Sequence, residues 1–270
     1  MIGSRPSSPA VTIPATDRAG LLAELRERVR RIEGVGGADG RAVVPLGIPD
    51  LDAGLPGGGL PLGAVHEVAG AALDAGSATA FAAVLLARLA AGRGPVLWLT
   101  RARDLYAPGL AGYGLRPQDL VLVQARPDRA GETDILWAME EALRCPQVGA
   151  VLAEAGKLDL TMSRRLQLAA ETGGVPGLLL QLGPQRLEAS AAVTRWHVTA
   201  LPGDGARSAL APAAGSAFAA AAWRAELQRC RGGRPGCWDL VWHGHGGRLY
   251  GAASTPDGQG AGDLGHAAPA

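Results

Sequence analysis

The stretch best suited to chemistry begins at His66 and reads HEVAGAALDAGSATAFAAVLL. A strand that feeds a helix of small residues is where α/β proteins usually bind phosphate, because free backbone N–H groups and the helix dipole converge there. A phosphate loop of the form G-x-x-x-x-G-K-[ST] adds a lysine for the phosphates and a hydroxyl for magnesium. Counted from Gly70, Ser77 holds the hydroxyl position, but Ala75 replaces the second glycine and Gly76 replaces the lysine.

The cation missing from this loop is not supplied nearby. Of the 26 Lys and Arg side chains, Lys157 is the only lysine. The loop is therefore interpreted as a degenerate remnant, and we expect no bound cofactor. A purely structural role is also open, in which Gly70, Gly76 and Ser77 allow tight packing of a strand against a helix.

Potential zinc ligands gather near the carboxyl terminus: Cys230, Cys237, His243 and His245. Their spacing, C-x6-C-x5-H-x-H, contains none of the close Cys pairs typical of zinc sites, so no metal site is predicted. The sequence also lacks the G-x-S-x-G motif of serine hydrolases.

Arginine clusters are more informative. Arg164 and Arg165 begin a predicted helix, and a second cluster surrounds two tryptophans near the carboxyl terminus: Trp223, Arg224, Arg229, Arg231, Arg234 and Trp238. Arginine binds carboxylates and phosphates through its planar fork and stacks on aromatic rings, so both clusters are candidate partner-binding surfaces. Because the formal net charge is only +1, any DNA contact should be local, weak and salt-dependent.

The elements that position these residues follow an alternating pattern. Strands are predicted over residues 65–68, 96–100, 120–124, 148–153, 175–181 and 195–200, and helices over residues 77–91, 133–144 and 161–172. Such alternation is typical of a mostly parallel α/β sheet flanked by helices. Near the carboxyl terminus, WRAELQRC and CWDLVWH flank the turn-rich RGGRPG and predict a β-hairpin.

An amphipathic helix is predicted over residues 18–32, with Thr16 or Asp17 as its N-cap. Its apolar stripe is Leu21, Leu22, Leu25, Val29 and Ile32, and its other face is charged. A solvated face over a docking stripe explains this pattern, and so does a helix that binds a partner. Leu25 and Arg28 are the candidate contacts in the second case.

Composition divides the chain further. The predicted organisation is a disordered tail (1–15), the amphipathic helix with a linker (16–40), the α/β core (41–202), a linker (203–216), the hairpin segment (217–250) and a second disordered tail (251–270). The tails consist of small and polar residues, which cannot bury enough surface to offset their ordering entropy.

Other classes of protein are disfavoured by the sequence. No apolar run approaches the roughly 20 residues of a membrane-spanning helix, so no membrane contact is expected. We see no secretory signal at the amino terminus. Three cysteines are too few for a disulfide framework, and a cytoplasmic location is expected.

A family resemblance is carried by four blocks in a fixed order. The segment LGIPDLDAGLPGGGLPLGAVHEVAG, residues 46–70, resembles the lead-in to the nucleotide loop of the RecA superfamily. Followed by VLWLTRARDLYAPGLAGYGL, SRRLQLAAETGG and WRAELQRCRGGRPG, it is similar to the ImuA family, RecA-like accessory proteins of the bacterial damage-inducible mutagenesis cassette. The resemblance covers roughly residues 18–250.

The resemblance implies a RecA-like fold and assigns roles by position. Glu154 occupies the place of the acidic residue that holds magnesium in RecA-like ATPases. Where RecA has its catalytic glutamate, this chain has Arg101, Ala102 and Arg103. Because phosphoryl transfer depends on such a cation and carboxylate, we expect a protein without ATPase activity. The family further implies binding to an ImuB-type, Y-family-like protein and indirect assistance to a DnaE-type error-prone polymerase in SOS-induced translesion synthesis. Self-association is an expectation from analogy with the RecA-like fold alone.

Three alternatives stay open on sequence grounds. The first is a divergent RecA-like ATPase that takes its cation from a neighbouring subunit. The second is a modulator of the RecA filament, with RecA as a partner. The third is a cell-division inhibitor of the SulA kind, although the length of this chain and its loop lead-in argue against it.

Overall fold

The computed structural model describes residues 41–156, 158–183, 189–201, 221–243 and 248–251. The predicted amphipathic helix, the linker 203–216 and both predicted tails lie outside these residues, apart from Gly251.

Eleven strands are present in the described residues. They are β1 (Val43–Val44), β2 (Leu60–Pro61), β3 (Val65–Gly70), β4 (Val96–Thr100), β5 (Leu120–Gln124), β6 (Ala150–Glu154), β7 (Gly177–Leu182), β8 (Thr194–Ala200), β9 (Ala221–Cys230), β10 (Gly236–His243) and β11 (Arg248–Gly251). All strands predicted from the sequence are found, with shifts of at most two residues. The short strands β1 and β2 and the last strand β11 were not predicted, because they are too short to show an alternating pattern.

The main sheet has nine strands in the order β11-β10-β9-β8-β3-β7-β6-β4-β5. The six strands from β8 to β5 are parallel, and β9, β10 and β11 continue the sheet in antiparallel pairing. The predicted α/β architecture with a mostly parallel sheet is confirmed.

The carboxyl-terminal hairpin is part of this sheet. β9 pairs with β8 from Ala200 opposite Trp223 to Thr194 opposite Cys230. The sequence predicts the hairpin as a segment beside the core, because a stretch rich in Gly, Ala and Pro separates the two along the chain. Backbone pairing to β8 makes them one sheet.

Helices cover both faces of the sheet. They are α1 (Pro49–Asp52), α2 (Ala75–Ala90), α3 (Arg129–Leu143) and α4 (Leu160–Gly173). Asp128 caps α3 by accepting from the Gly131 N–H at 2.8 Å, and Asp159 caps α4 by accepting from the Met162 N–H at 2.7 Å. The cap at Asp128 explains why α3 begins four residues before the predicted start.

Two apolar clusters fill the space between helices and sheet. The side of α2 contains the large aromatic groups Phe81, Trp98, Trp196 and Trp223. The side of α3 and α4 is mainly aliphatic, with Leu99, Met139, Leu143, Leu166 and Leu179. The central parallel strands are thus covered on both faces, as a parallel sheet requires.

Together with the 3-10 turn that precedes it, α2 forms one helical stretch over residues 72–90. Within the described residues, this stretch is long and apolar enough by composition to cross a membrane, with a mean hydropathy of 1.4. Its central residues, among them Phe81, Leu85 and Leu86, are fully buried against the sheet. Burial of this helix in the core of the protein explains its high mean hydropathy.

Candidate functional site

The expected phosphate loop is a tight turn. β3 ends at Gly70, residues Ala72–Asp74 form a 3-10 turn, and α2 starts at Ala75. Only four residues therefore separate the strand from the helix. Ser77 lies within the first turn of α2 rather than at the mouth of a loop.

A carboxylate stands at the start of α2. Asp74 is the N-cap residue, and its Oδ1 accepts a hydrogen bond from the Ala200 N–H of β8 at 2.9 Å. The positive end of the helix dipole attracts anions, but here a fixed carboxylate occupies that position. A phosphate group at this helix end would meet like charge.

The two glycines of the remnant differ in their surroundings. A Cβ on Gly70 would lie 2.7 Å from the Cβ of Ala78, so glycine is needed for β3 to approach α2. A Cβ on Gly76 would have no neighbour within 4 Å. Close packing thus explains Gly70, whereas the structure offers no packing reason for Gly76.

Glu154, the candidate magnesium-holding residue, is engaged by the neighbouring strand β4. Its Oε1 accepts from the Trp98 indole N–H at 2.6 Å, and its Oε2 accepts from the Thr100 hydroxyl at 2.6 Å. The Thr100 hydroxyl oxygen also accepts from the Ala102 N–H at 3.0 Å. Both carboxylate oxygens therefore tie the ends of β4 and β6 together.

Arg101 and Glu132 complete this edge of the sheet. Their nearest charged atoms are 4.0 Å apart, and both side chains are about one-third exposed. Arg101 is thus paired, loosely, with a carboxylate from the first turn of α3. The only lysine, Lys157, is outside the described residues, although its neighbour Gly156 follows β6 at this same edge.

The arginines of the hairpin cluster bind within the fold. The Arg229 guanidinium donates to the Ser190 carbonyl, and that of Arg231 donates to the Ala191 carbonyl at 3.0 Å. They hold the segment before β8, whose backbone carbonyls would otherwise lack these donors. Arg229 is exposed and Arg231 is half-buried, so their role as partner contacts stays a prediction.

The tryptophans of the same cluster are core residues. Trp223 is 1% exposed and packs near Phe81, with ring centroids 5.9 Å apart. Trp238 is half-buried, and its ring centroid lies 6.2 Å from that of Trp196. The expectation that Trp223 anchors a partner is wrong, because its strand places it on the face covered by α2. Trp238 packs against the same core.

The two remaining hairpin arginines are exposed. Arg224 donates from Nε and Nη2 to the two carboxylate oxygens of Asp239, at 2.8 and 2.9 Å. Hydrogen bonding to Arg224 lowers the pKa of the Asp239 carboxyl. Arg234 donates its backbone N–H to the Gly54 carbonyl at 2.8 Å.

Of the two arginines on α4, Arg165 forms an ion pair within the fold, whereas Arg164 forms none with the described residues. Arg165 and Arg144 each approach the buried carboxylate of Glu140 at 2.5 Å. Arg164 is exposed and forms no ion pair with the residues that the structure describes. Leu25 and Arg28, the candidates on the amino-terminal helix, lie outside the described residues.

A buried polar network not anticipated from the sequence joins β3 to β8. Glu67 is 2% exposed, and its oxygens accept from the Ser190 hydroxyl and from Arg195 Nε, each at 2.5 Å. The signal was present in the sequence as a glutamate inside the apolar strand VHEVAG. A buried charge needs a paired donor, but the sequence does not identify that donor.

His66 belongs to the same buried layer. Its ring nitrogens lie 2.9 Å from the Thr194 hydroxyl oxygen and 3.0 Å from the Pro61 carbonyl oxygen. Burial lowers the pKa of His66 to about 4, against a smaller opposing effect of the Pro61 carbonyl. The imidazole is therefore neutral at pH 7 and serves as a hydrogen-bonded core residue.

Two of the potential zinc ligands, Cys230 and Cys237, have thiols that favour the protonated form. Burial raises the pKa of the Cys230 thiol to about 11 and raises that of Cys237 as well. The thiolate is the form that binds metal. No group of three or more His, Cys, Asp or Glu side chains in the described residues is placed to hold a metal ion.

Exposed apolar side chains mark surfaces that sequence patterns did not single out. Leu73 at the tip of the 3-10 turn is 99% exposed, Trp137 on α3 is 63% exposed and Leu168 on α4 is 61% exposed. A cavity of about 350 Å³ lies between β5 and α3. Exposed aromatic and apolar groups next to a cavity are typical of binding surfaces.

Fold and site together define the class: a mostly parallel α/β protein in which the strand-to-helix loop that usually binds phosphate is a tight turn closed by a carboxylate. No protein-family model matches the chain. Two curated proteins do match, each described as "Protein ImuA", from Caulobacter vibrioides strain NA1000 / CB15N and from strain ATCC 19089 / CIP 103742 / CB 15. Each is 40% identical over 211 residues, covering 73% of this chain and 82% of the relative. The chain belongs to the ImuA family.

Proposed function

We propose that this chain is a non-catalytic, RecA-like accessory protein of damage-induced mutagenesis. It binds an ImuB-type, Y-family-like protein and through it assists a DnaE-type error-prone polymerase in translesion synthesis. Family membership supports the cellular context.

The observation that supports a non-catalytic role is the carboxylate at the start of α2. Asp74 is held there by the Ala200 N–H, and Glu154 is held by Trp98 and Thr100. Transfer of a phosphoryl group needs cations on the phosphates and a carboxylate free to act. The engagement of both carboxylates by groups of the fold supports the non-catalytic proposal.

The outer face of α4 is the partner surface that the structure supports best. Arg164 and Leu168 are four residues apart on one helix, so their side chains lie next to each other. Both are exposed, and Arg164 has no ion-pair partner in the described part of the chain. An apolar group beside an unpaired arginine is the kind of contact that carries binding energy in interfaces.

The test is co-purification of the full chain with its ImuB-type partner, with and without ATP. We expect ATP-independent association that weakens about tenfold or more in Arg164→Glu combined with Leu168→Asp. The matched control is Arg103→Glu, an exposed arginine remote in sequence from α4. Unchanged association of the α4 variant would remove this surface from the proposal. Association that requires ATP would favour the divergent ATPase.

RecA and DNA are further proposed contacts of the same exposed arginine. A local contact through Arg164 predicts weak binding that falls steeply with added salt. Binding of single-stranded DNA or of the RecA filament by the wild-type chain, lost in Arg164→Glu, would support this extension of the proposal.

A further inference from the structure

An apolar groove is present between β5 and α3. β5 is the outermost strand of the sheet, so α3 has no neighbouring helix on that side in the described residues. The apolar lining of the groove is Leu99 and Val123 from the sheet, Ala125 just after β5, and Ile135, Trp137 and Ala138 from the helix. Gln124 and Arg126 line it as well. Val121 shares the face of Val123 and is 47% exposed.

Acidic side chains border the groove along α3. Asp134 lines it and pairs with Arg126 at 3.3 Å. Glu141 follows Asp134 by seven residues and therefore lies on the same side of the helix, two turns further on. Glu141 is exposed and forms no ion pair with another residue of the described ranges. One carboxylate of the rim is thus open to a cation.

The described chain begins at the same end of the molecule. Arg41 pairs with Glu171, near the end of α4, at 3.4 Å. A Cβ on Gly173, the last residue of α4, would lie 2.1 Å from the Leu143 carbonyl oxygen at the end of α3. The carboxyl-terminal ends of α3 and α4 are therefore adjacent, and the preceding part of the chain starts beside them.

Residues 18–32 match the groove in length and character. The sequence predicts an amphipathic helix there, and 15 residues extend about 22 Å, the same as the 15 residues of α3. The predicted helix has an apolar stripe and carries five Arg against two Glu. The groove is mainly apolar, its charged lining is the paired Asp134 and Arg126, and Glu141 adds an open carboxylate on the same side of α3.

The segment between the predicted helix and Arg41 is long enough for the helix to reach the groove. Residues 33–40 separate the predicted helix from Arg41, and eight extended residues span about 26–29 Å. Packed helices lie about 8–10 Å apart, so crossing from α4 past α3 to the groove takes about 16–20 Å. The chain can place Ile32 at the end of the groove that lies beside Arg41.

We propose that residues 18–32 of this same chain dock as a helix in the groove between β5 and α3. Leu25 then contacts Trp137 and Ala138, and Arg28, at the margin of the stripe, comes near Glu141. The inference goes beyond the proposed function and does not depend on any partner. It assigns Leu25 to an intramolecular contact.

The test is cross-linking within the full chain. Leu25→Cys with Ala138→Cys is made in a background in which the exposed Cys145 and Cys237 are Ser. Cys230 is retained, because its raised pKa keeps its thiol unreactive. A short bismaleimide should link Leu25→Cys to Ala138→Cys within one chain. The matched pair, Leu25→Cys with Leu168→Cys on α4, should link at least tenfold less.

A second measurement tests docking without any introduced cysteine. Hydrogen exchange at residues 133–141 and 121–124 is compared between the wild type and Leu25→Asp. Docking predicts faster exchange at these residues in the variant and an unchanged exchange rate at α2. Equal exchange, equal cross-linking of both pairs, or links found only between two chains would overturn the proposal. The last outcome would show that a second copy fills the groove.

Discussion

At the scale of single residues, the chemistry open to a carboxylate depends on which hydrogen-bond donors its oxygens already bind. Asp74 and Glu154 are types of residue that nucleotide sites use, but their oxygens accept from Ala200, Trp98 and Thr100. Residue type alone therefore overstates what this edge can do.

The first prediction at this scale concerns nucleotide. Isothermal titration of the wild-type chain with ATP and magnesium should show no saturable binding, because a fixed carboxylate faces the phosphate position. Lys157→Ala and Ser77→Ala should leave the trace unchanged. Saturable binding that Lys157→Ala abolishes would instead show that the single lysine completes a working site.

The second prediction concerns pH and His66. The folded pKa of about 4 lies below the ordinary histidine value of 6.5. Below pH 6.5 the unfolded chain binds a proton that the folded chain does not, so the stability from this group falls as pH drops toward 4. At 1.36 kcal/mol per pKa unit the loss reaches about 3 kcal/mol.

The measurement is denaturant unfolding of wild type and His66→Gln between pH 7 and pH 4. Gln can still donate to the Pro61 carbonyl but does not titrate. The difference between the two proteins should shrink as pH falls, since only the wild type carries this dependence. A constant difference across the range would contradict the assignment.

At the scale of elements, two of the hairpin arginines bind a neighbouring segment of the backbone. Arg229 and Arg231 donate to carbonyls of the stretch that leads into β8. The buried Glu67 and Arg195 pair lies directly beneath this stretch.

We therefore predict that Arg229→Ala with Arg231→Ala lowers the free energy of unfolding by about 1–2 kcal/mol. Both side chains are at least partly exposed, which keeps the effect modest. Association with the ImuB-type partner should stay as in the wild type. The expectation fails if thermal unfolding is unaffected while association is lost.

At the scale of the whole molecule, the nine-stranded sheet makes the hairpin inseparable from the core. Trp223, Ala225, Leu227, Leu240 and Trp242 of β9 and β10 are buried in the same cluster as Phe81. A large buried apolar side chain contributes about 1.5–3 kcal/mol. Losing four such groups is comparable with a total stability of about 5–15 kcal/mol.

Truncation of the chain tests whether the core folds without the hairpin. A chain ending at residue 202 should lose cooperative unfolding and aggregate, because β8 becomes an uncovered edge. A chain ending at residue 251 should unfold like the wild type. Circular dichroism melts and size-exclusion chromatography check both. A soluble, cooperatively folded chain of 202 residues would show that the hairpin is an appendage.

By itself the sequence determined the alternation of strands and helices, the mostly parallel sheet, the family, and the missing lysine of the loop. These are local or periodic properties, and every strand that the pattern predicted is present. Start sites shifted where a cap decided them, as Asp128 does for α3.

Only the tertiary structure decided what those residues do. Strand pairing placed Trp223 on the covered face and joined the hairpin to β8. It brought Asp74 to Ala200 and Arg195 to Glu67, pairs separated by 126 and 128 residues. A side chain's availability depends on its neighbours in space, and contacts at such separations leave no mark in the local pattern from which a sequence is interpreted.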